Sequence, residues 1–223
     1  MINILSIDKE EACRYLGYKG QPSEQVLNAL IESEQRLLSV IAPRYIYSSF
    51  DINRVEKGVK LRGTGLVLTG KDILKHLEGS QKAVILSATI GANVDAVLRA
   101  AEISDIASAV MMDALASSAI EQVVDKVEEK IKDEFYKYKL TSRFSPGYGD
   151  LPLNIQEKLL DVLNAPKRIG LCVNDKNMLT PIKSVTAVMG LYLGETKEGS
   201  SPCERCNLAG NCPYRKRGEY CGI

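Results

Sequence analysis

With 223 residues, 45% of them apolar, the chain is long enough to bury a core without disulfide or metal staples. Lysine and arginine total 29 and aspartate and glutamate 28, so the formal charge of +1 offers no net field to nucleic acid or anionic lipid, and a 26% share of charged residues in so balanced a chain excludes a disordered polymer. The single histidine, His76, removes most imidazole chemistry, because histidine metal sites and Ser-His-Asp or Cys-His catalysis need a placed imidazole. The segment Met1–Glu10 becomes charged before an apolar stretch reaches signal-peptide length, and no run approaches the roughly 18 residues of a membrane span. A cytoplasmic protein is expected, with neither a nucleic-acid nor a membrane partner.

Taken along the chain, Val26, Leu30, Ile31, Leu37 and Ile41 recur at helical spacing behind Ser23, an N-cap, and that helix must stop before Pro43. Val59–Leu68 reads as a strand interrupted at Gly63 and Gly65, where the expected feature is a bulge rather than a phosphate-cradling loop. Gly70-Lys71-Asp72 opens a helix through about Glu78, whose charged face places His76 at the surface without a second ligand one turn on. Ala83–Ile90 is a short apolar run bounded by Gly91, suited to a buried central strand, and Asn93 is expected to cap the next helix. Residues 104–135 form the longest helical pattern, its Ala- and Ser-rich first half buried and its Lys- and Glu-rich second half solvated.

After a loop at 141–150, Asn154 with Glu157 three residues on opens a helix that stops near Asn164-Ala165-Pro166. Ile169–Val173 reads as a strand, and Ser184–Leu193 alternates Val185, Ala187, Met189, Leu191 and Leu193 onto one face. Helices and strands mix without βαβ repetition or tandem repeats. The expected fold is therefore α+β: one mixed domain over 1–195, its first 45 or so residues helical, with a mostly antiparallel sheet flanked by helices, followed by a Cys-rich tail at 196–223.

The most specific local feature is Arg143-Phe144-Ser145-Pro146-Gly147-Tyr148. Pro146-Gly147 encodes a type II turn, with proline fixing φ at its second position and glycine supplying φ > 0 at its third. Such a bend is a rigid platform where Arg143 can fork onto a carboxylate, backbone groups near Gly147 can read a heteroaromatic edge, and Tyr148 can stack; the alternative is an ordinary surface loop.

This motif, with Gln156, Glu157 and Lys158, then Met178 and Ser184-Val185, resembles the activation domain of cobalamin-dependent methionine synthase, whose signature is Arg-x-x-x-Gly-Tyr. The strand Val84–Thr89 and the helix with Met111, Ala114-Leu115-Ala116 and Glu121 occur in the family's order, so the likeness covers most of residues 50–195; the family usually has Pro or Ala where this chain has Phe144 and Ser145. The resemblance implies an S-adenosylmethionine site in which Arg143 holds the carboxylate, the Ser145 and Gly147 backbone the adenine and sulfonium region, Tyr148 packs on the ligand and Glu121 faces the same cleft. It further implies a stand-alone reactivation subunit in a methionine synthase (methyltransferase) system. Its partners would be a cobalamin-bearing methyltransferase or methionine synthase modules, and a flavodoxin-like or ferredoxin-like electron donor. The competing reading is a non-catalytic binding or adaptor protein that uses the Cys-rich tail.

That tail places Cys203, Cys206, Cys212 and Cys221 within 19 residues. Cys-x-x-Cys followed by two more cysteines suits Zn²⁺ or an iron–sulfur cluster, with free or redox-active thiols as the alternative. Cys13 and Cys172 are expected to be buried as small hydrophobes.

Overall fold

Asp8 accepts the backbone N–H groups of Glu10 and Glu11 on one carboxylate oxygen, at 2.9 and 3.0 Å, and so opens α1 (Lys9–Tyr15) in the computed structural model, which describes residues 2–18 and 20–194. Ser23 caps α2 (Glu24–Leu38) as its sequence demands, its Oγ accepting from the Val26 amide, and the apolar stripe buries Leu30 and Leu37 completely. A long strand, β1 (Arg44–Val55), follows, then the antiparallel hairpin β2 (Gly58–Leu61) and β3 (Val67–Thr69). The glycines at 63 and 65 lie in the loop of that hairpin rather than in a bulge. Thr64 closes it, donating its hydroxyl to the Leu61 carbonyl at 3.0 Å and accepting the Leu66 amide at 3.1 Å.

Next come α3 (Lys71–His76), β4 (Lys82–Thr89), α4 (Ala92–Ser104) and α5 (Ile106–Glu134). Every residue of β4 from Ala83 on is buried, as expected of a central strand; full burial of a Leu or Ile side chain is worth about 1.5–3 kcal/mol, more than any difference in local propensity. Gly91, at φ 98°, and not Asn93 is the N-cap of α4: it turns the chain directly out of β4, which carries Asn93 into the helix body. The long helix starts two positions later than its pattern indicates. Ser104 ends α4, and Asp105 stands just before α5, accepting the Ala107 amide on its carboxylate at 3.0 Å.

The chain then forms β5 (Lys139–Leu140), a 3-10 turn at Leu153–Ile155, α6 (Gln156–Leu163), α7 (Ala165–Ile169), β6 (Cys172–Val173), β7 (Leu179–Thr180) and β8 (Ser184–Tyr192). Of the strand expected at Ile169–Val173 only Cys172 and Val173 are strand, because Ile169 still belongs to α7. Asn164, in the left-handed region, restarts the chain after α6, Pro166 is tolerated in the first turn of α7, and Gly170 at φ 71° ends it. Cys172 is consequently exposed on a two-residue ribbon rather than buried, whereas Cys13 is buried as expected.

The main sheet has the order β3-β2-β1-β4-β8-β5 and is mostly antiparallel, with helices flanking it, so the architecture is α+β. The one-faced alternation expected for β8 gives way to burial of every residue from Thr186 to Leu191, because a strand second from the sheet edge is covered on both faces. Among the described residues no helix is long and apolar enough to cross a membrane.

Two compact units share the chain. The first comprises Met1–Tyr47, Leu86–Ile131 and Gln156–Thr186, and the second Ser48–Ile85, Lys132–Ile155 and the described residues from Ala187. In the first, Met112, Leu115, Val123, Val124, Val127 and Ile131 line the buried face of α5, and polar bonds tie the chain's start to that helix: the Ser118 hydroxyl donates to the Asp8 carbonyl at 2.8 Å and Lys126 to the Asn3 carbonyl at 3.1 Å. The second unit carries the loop on which the candidate site rests.

Candidate functional site

The loop from Thr141 to Leu151 is fastened at three places within the second unit. At its start the Thr141 amide donates to the Gly190 carbonyl at 2.9 Å, and the Gly190 amide donates back to Thr141 Oγ1 at 2.8 Å. Phe144 and Val188 then exchange both backbone hydrogen bonds, at 3.0 and 2.9 Å, as an isolated antiparallel bridge. At the far end Asp150 caps α3 from across the fold: the amides of Lys71 and Asp72 donate to its two carboxylate oxygens at 2.6 and 3.0 Å, while Asp72 accepts the Asp150 amide at 3.2 Å. Gly149 lies between the two aspartates at φ 52°, and a Cβ there would overlap the Asp72 carboxylate, so glycine is required.

These amides hold the Asp150 carboxyl below its ordinary 3.8, the Lys71 N–H first and the Asp72 N–H second. Because the folded value is the lower one, the clasp stabilises the fold above the unfolded value of 3.8 and that contribution fades as pH falls through the folded value. Asp150→Ala is therefore expected to melt earlier than wild type at neutral pH, with the gap closing below about pH 3.8. Asp51, held low by Lys82, shifts in the same direction, so the difference between the two melting curves isolates the clasp. A gap that stayed constant through the acid titration would contradict it.

Within this frame the turn has the geometry its sequence encodes. The Tyr148 amide donates to the Ser145 carbonyl at 3.1 Å and Gly147 has φ 92°, the sign a type II turn needs at its third position. The Gly147 amide donates to the Leu151 carbonyl at 2.9 Å, and the Leu151 amide to the Tyr148 carbonyl at 3.1 Å. Pro146 is buried and Leu151 is 1% exposed, whereas Tyr148 is 43% exposed. The bend is thus anchored inward by Pro146 and Leu151 and presents Tyr148 outward. Arg143, half-buried, precedes it, and its Nη1 is shielded from solvent.

His76 is not the isolated surface residue its charged neighbours suggest. It is half-buried at the end of α3, its Nε2 lies 2.9 Å from Thr141 Oγ1, and its ring packs against Phe144 with centroids 4.9 Å apart and planes 37° from parallel. Phe144 in turn meets Tyr148 edge-on, at 6.3 Å and 73°. Sequence reading missed this cluster. Its only local signal was Phe144, at a position where the resembled motif usually has Pro or Ala.

Of the expected site residues, Arg143, Ser145, Gly147 and Tyr148 come together on this loop, whereas Glu121 belongs to the first unit. There, with burial as the larger cause, the Glu121 charge helps to push the Tyr15 hydroxyl up to about 12. Tyr15 also lines an open cleft of about 540 Å³ in the first unit, floored by Ile106, Ala109 and Val110 and edged by Glu102 and Asp113; none of the loop residues borders it. The candidate site is therefore the loop, where Arg143, the Ser145–Tyr148 turn and the rings of His76, Phe144 and Tyr148 lie together, and not this cleft. No three His, Cys, Asp or Glu side chains among the described residues are placed to hold a metal ion, and Cys203, Cys206, Cys212 and Cys221 lie outside those residues.

No family model and no curated protein matches the chain. Among solved structures it is similar to the crystal structure of the MetH reactivation domain bound to AdoHcy, at a TM-score of 0.65 and 16% identity over 86% of this chain and 76% of that one. The chain has the MetH reactivation-domain fold. At this identity the similarity establishes the architecture and leaves the ligand and the chemistry to be argued from the residues. The reactivation-domain fold agrees with the α+β architecture and the mostly antiparallel sheet expected above.

Proposed function

We propose that the Arg143–Tyr148 loop binds S-adenosylmethionine or its demethylated product, and that the protein serves reductive re-methylation of a cobalamin held by a separate corrinoid methyltransferase or methionine synthase. The observation that supports this most directly is the Ser145–Tyr148 turn, with Gly147 at φ 92° directly after Arg143, within a fold whose solved counterpart holds AdoHcy.

The residues present suit such a ligand. Arg143 offers a forked cation for the amino-acid carboxylate, and the exposed Tyr148 ring offers a face for the purine or the sulfonium, where cation–π attraction favours the positive charge. An adenine amino group is a donor and would be read by backbone carbonyls, which keep a second lone pair, while the Gly147 amide is already used by the Leu151 carbonyl and would not serve the ring nitrogens. Bound S-adenosylmethionine would supply a methyl group to reduced cobalt. The chain's own part would be to bind, orient and shield the ligand, without an obligatory side-chain acid or base. An electron donor of flavodoxin or ferredoxin type belongs to the same proposal.

Calorimetric titration of the full chain with S-adenosylmethionine and with S-adenosylhomocysteine tests the reading. One saturable site per chain is expected for both. Absence of heat, together with an unchanged melting temperature at millimolar ligand, would overturn it.

The four tail cysteines supply a separate part of the proposal: thiolates crowded within 19 residues repel unless a metal ion neutralises them. Protein purified anaerobically is expected to carry about one Zn²⁺ or one iron–sulfur cluster per chain. Cys203→Ser with Cys206→Ser should remove it and leave binding at the loop intact. Elemental analysis free of zinc and iron, with all four tail thiols titratable, would reject the metal.

A further inference from the structure

We propose that His76 is a positioning residue for the ligand site, holding Phe144 and through it Tyr148 at the angle the ligand meets; this rests on the binding reading above. His76 stands on α3, the helix whose first amides Asp150 clasps, so the helix is joined to the two ends of the loop: by Asp150 near Leu151 and by His76 at Thr141 and Phe144.

Counting donors separates the hydrogen bond of His76 from its ring contact. Thr141 Oγ1 has one hydrogen and two lone pairs; it lies 3.1 Å from the Ser142 carbonyl, accepts the Gly190 amide at 2.8 Å, and sits 2.9 Å from His76 Nε2. All three bonds form together only when the hydroxyl donates to Ser142 and accepts from Gly190 and from an Nε2–H of His76. Without the imidazole, Thr141 keeps its donor bond and one acceptor bond, and its backbone amide stays on the Gly190 carbonyl. The hydrogen bond fixes the tautomer and orientation of His76 and is not needed to hold Thr141.

The ring contact acts on Phe144 itself. The Phe144 backbone is paired with Val188, and its ring meets those of His76 and Tyr148, so these two rings bear on its side-chain angle. Tyr148 is the exposed end of this stack and the surface on which a purine or sulfonium would rest. Removing the imidazole opens space beside Phe144, lets it rotate, and releases the Tyr148 ring from its edge contact.

Three substitutions in the full chain separate ring from hydrogen bond, with S-adenosylhomocysteine as the titrant. His76→Ala removes both and is expected to weaken binding about five- to tenfold, the range of a lost aromatic pair. His76→Gln restores an N–H within reach of Thr141 but no ring, and should bind as weakly as alanine. His76→Phe restores a ring beside Phe144 without the donor and should return affinity to within about twofold of wild type, a rescue that a requirement for the hydrogen bond would not produce. Should the alanine variant fail to fold, the comparison of glutamine with phenylalanine decides alone. Wild type that binds the ligand while all three variants match it, or a phenylalanine variant as weak as glutamine, would overturn the role of His76 and leave the binding reading standing; wild type that does not bind overturns both.

Discussion

Replacement of Arg143 by alanine is expected to weaken S-adenosylmethionine binding at least tenfold. A charge-assisted, two-pronged bond between guanidinium and carboxylate in a partly desolvated setting is worth about 2 kcal/mol or more, and losing it also leaves the ligand carboxylate without a countercharge. The structure supports the setting: Arg143 is half-buried with Nη1 shielded, and it lies between the Thr141 anchor and the Phe144–Val188 bridge, so its backbone is fixed before any ligand arrives. Little of the binding would then be offset by ordering the loop. Arg143→Lys keeps the charge but loses the planar fork and should recover only part of the affinity. Calorimetry on both variants, at a temperature where each is shown to be folded, checks this. Equal affinities for wild type and alanine would remove Arg143 from the site.

Features encoded over a few neighbouring residues were legible in the sequence. The Pro146-Gly147 turn, the Ser23 cap and the buried strand ending at Thr89 each follow from a proline, a hydroxyl or an apolar run whose consequence is local. What escaped depends on distant chain. Asp150 caps a helix 79 residues upstream, and His76 meets a threonine 65 residues downstream; neither pairing leaves a periodic trace. The charged neighbours of His76 spoke for solvent, and packing against Phe144 overrode them. The strand β1 was overlooked for another reason. Tyr45 and Tyr47 stack on one face and Ile46 is buried on the other, a period-two signal, but Ser48, Ser49, Asp51 and Asn53 dilute it. At Cys172 the apolar flank suggested burial, while a ribbon only two residues long left it exposed.

Gly147→Val is expected to abolish binding without filling any occupied space. A Cβ at this glycine would meet only Leu153 Cδ1, at 3.5 Å, an ordinary van der Waals distance, so crowding is not the obstacle. The obstacle is φ 92°: a side chain there carries backbone strain of about 1–3 kcal/mol, and a β-branched one stands at the upper end. That strain is concentrated on a turn closed by single bonds, from Tyr148 to Ser145 and from Gly147 to Leu151, so the turn is the element that yields. Once it rearranges, Tyr148 leaves its place at the end of the ring stack and the carbonyls near Gly147 point elsewhere. The three fasteners at Gly190, Val188 and α3 lie outside the turn and should keep the rest of the second unit folded. The expected signature is therefore loss of S-adenosylmethionine binding with a melting temperature lowered by only a few degrees, and with Gly147→Ala falling between Val and wild type because it shares the φ penalty but not the branching. Wild-type affinity in the valine variant would show that the ligand does not depend on this turn.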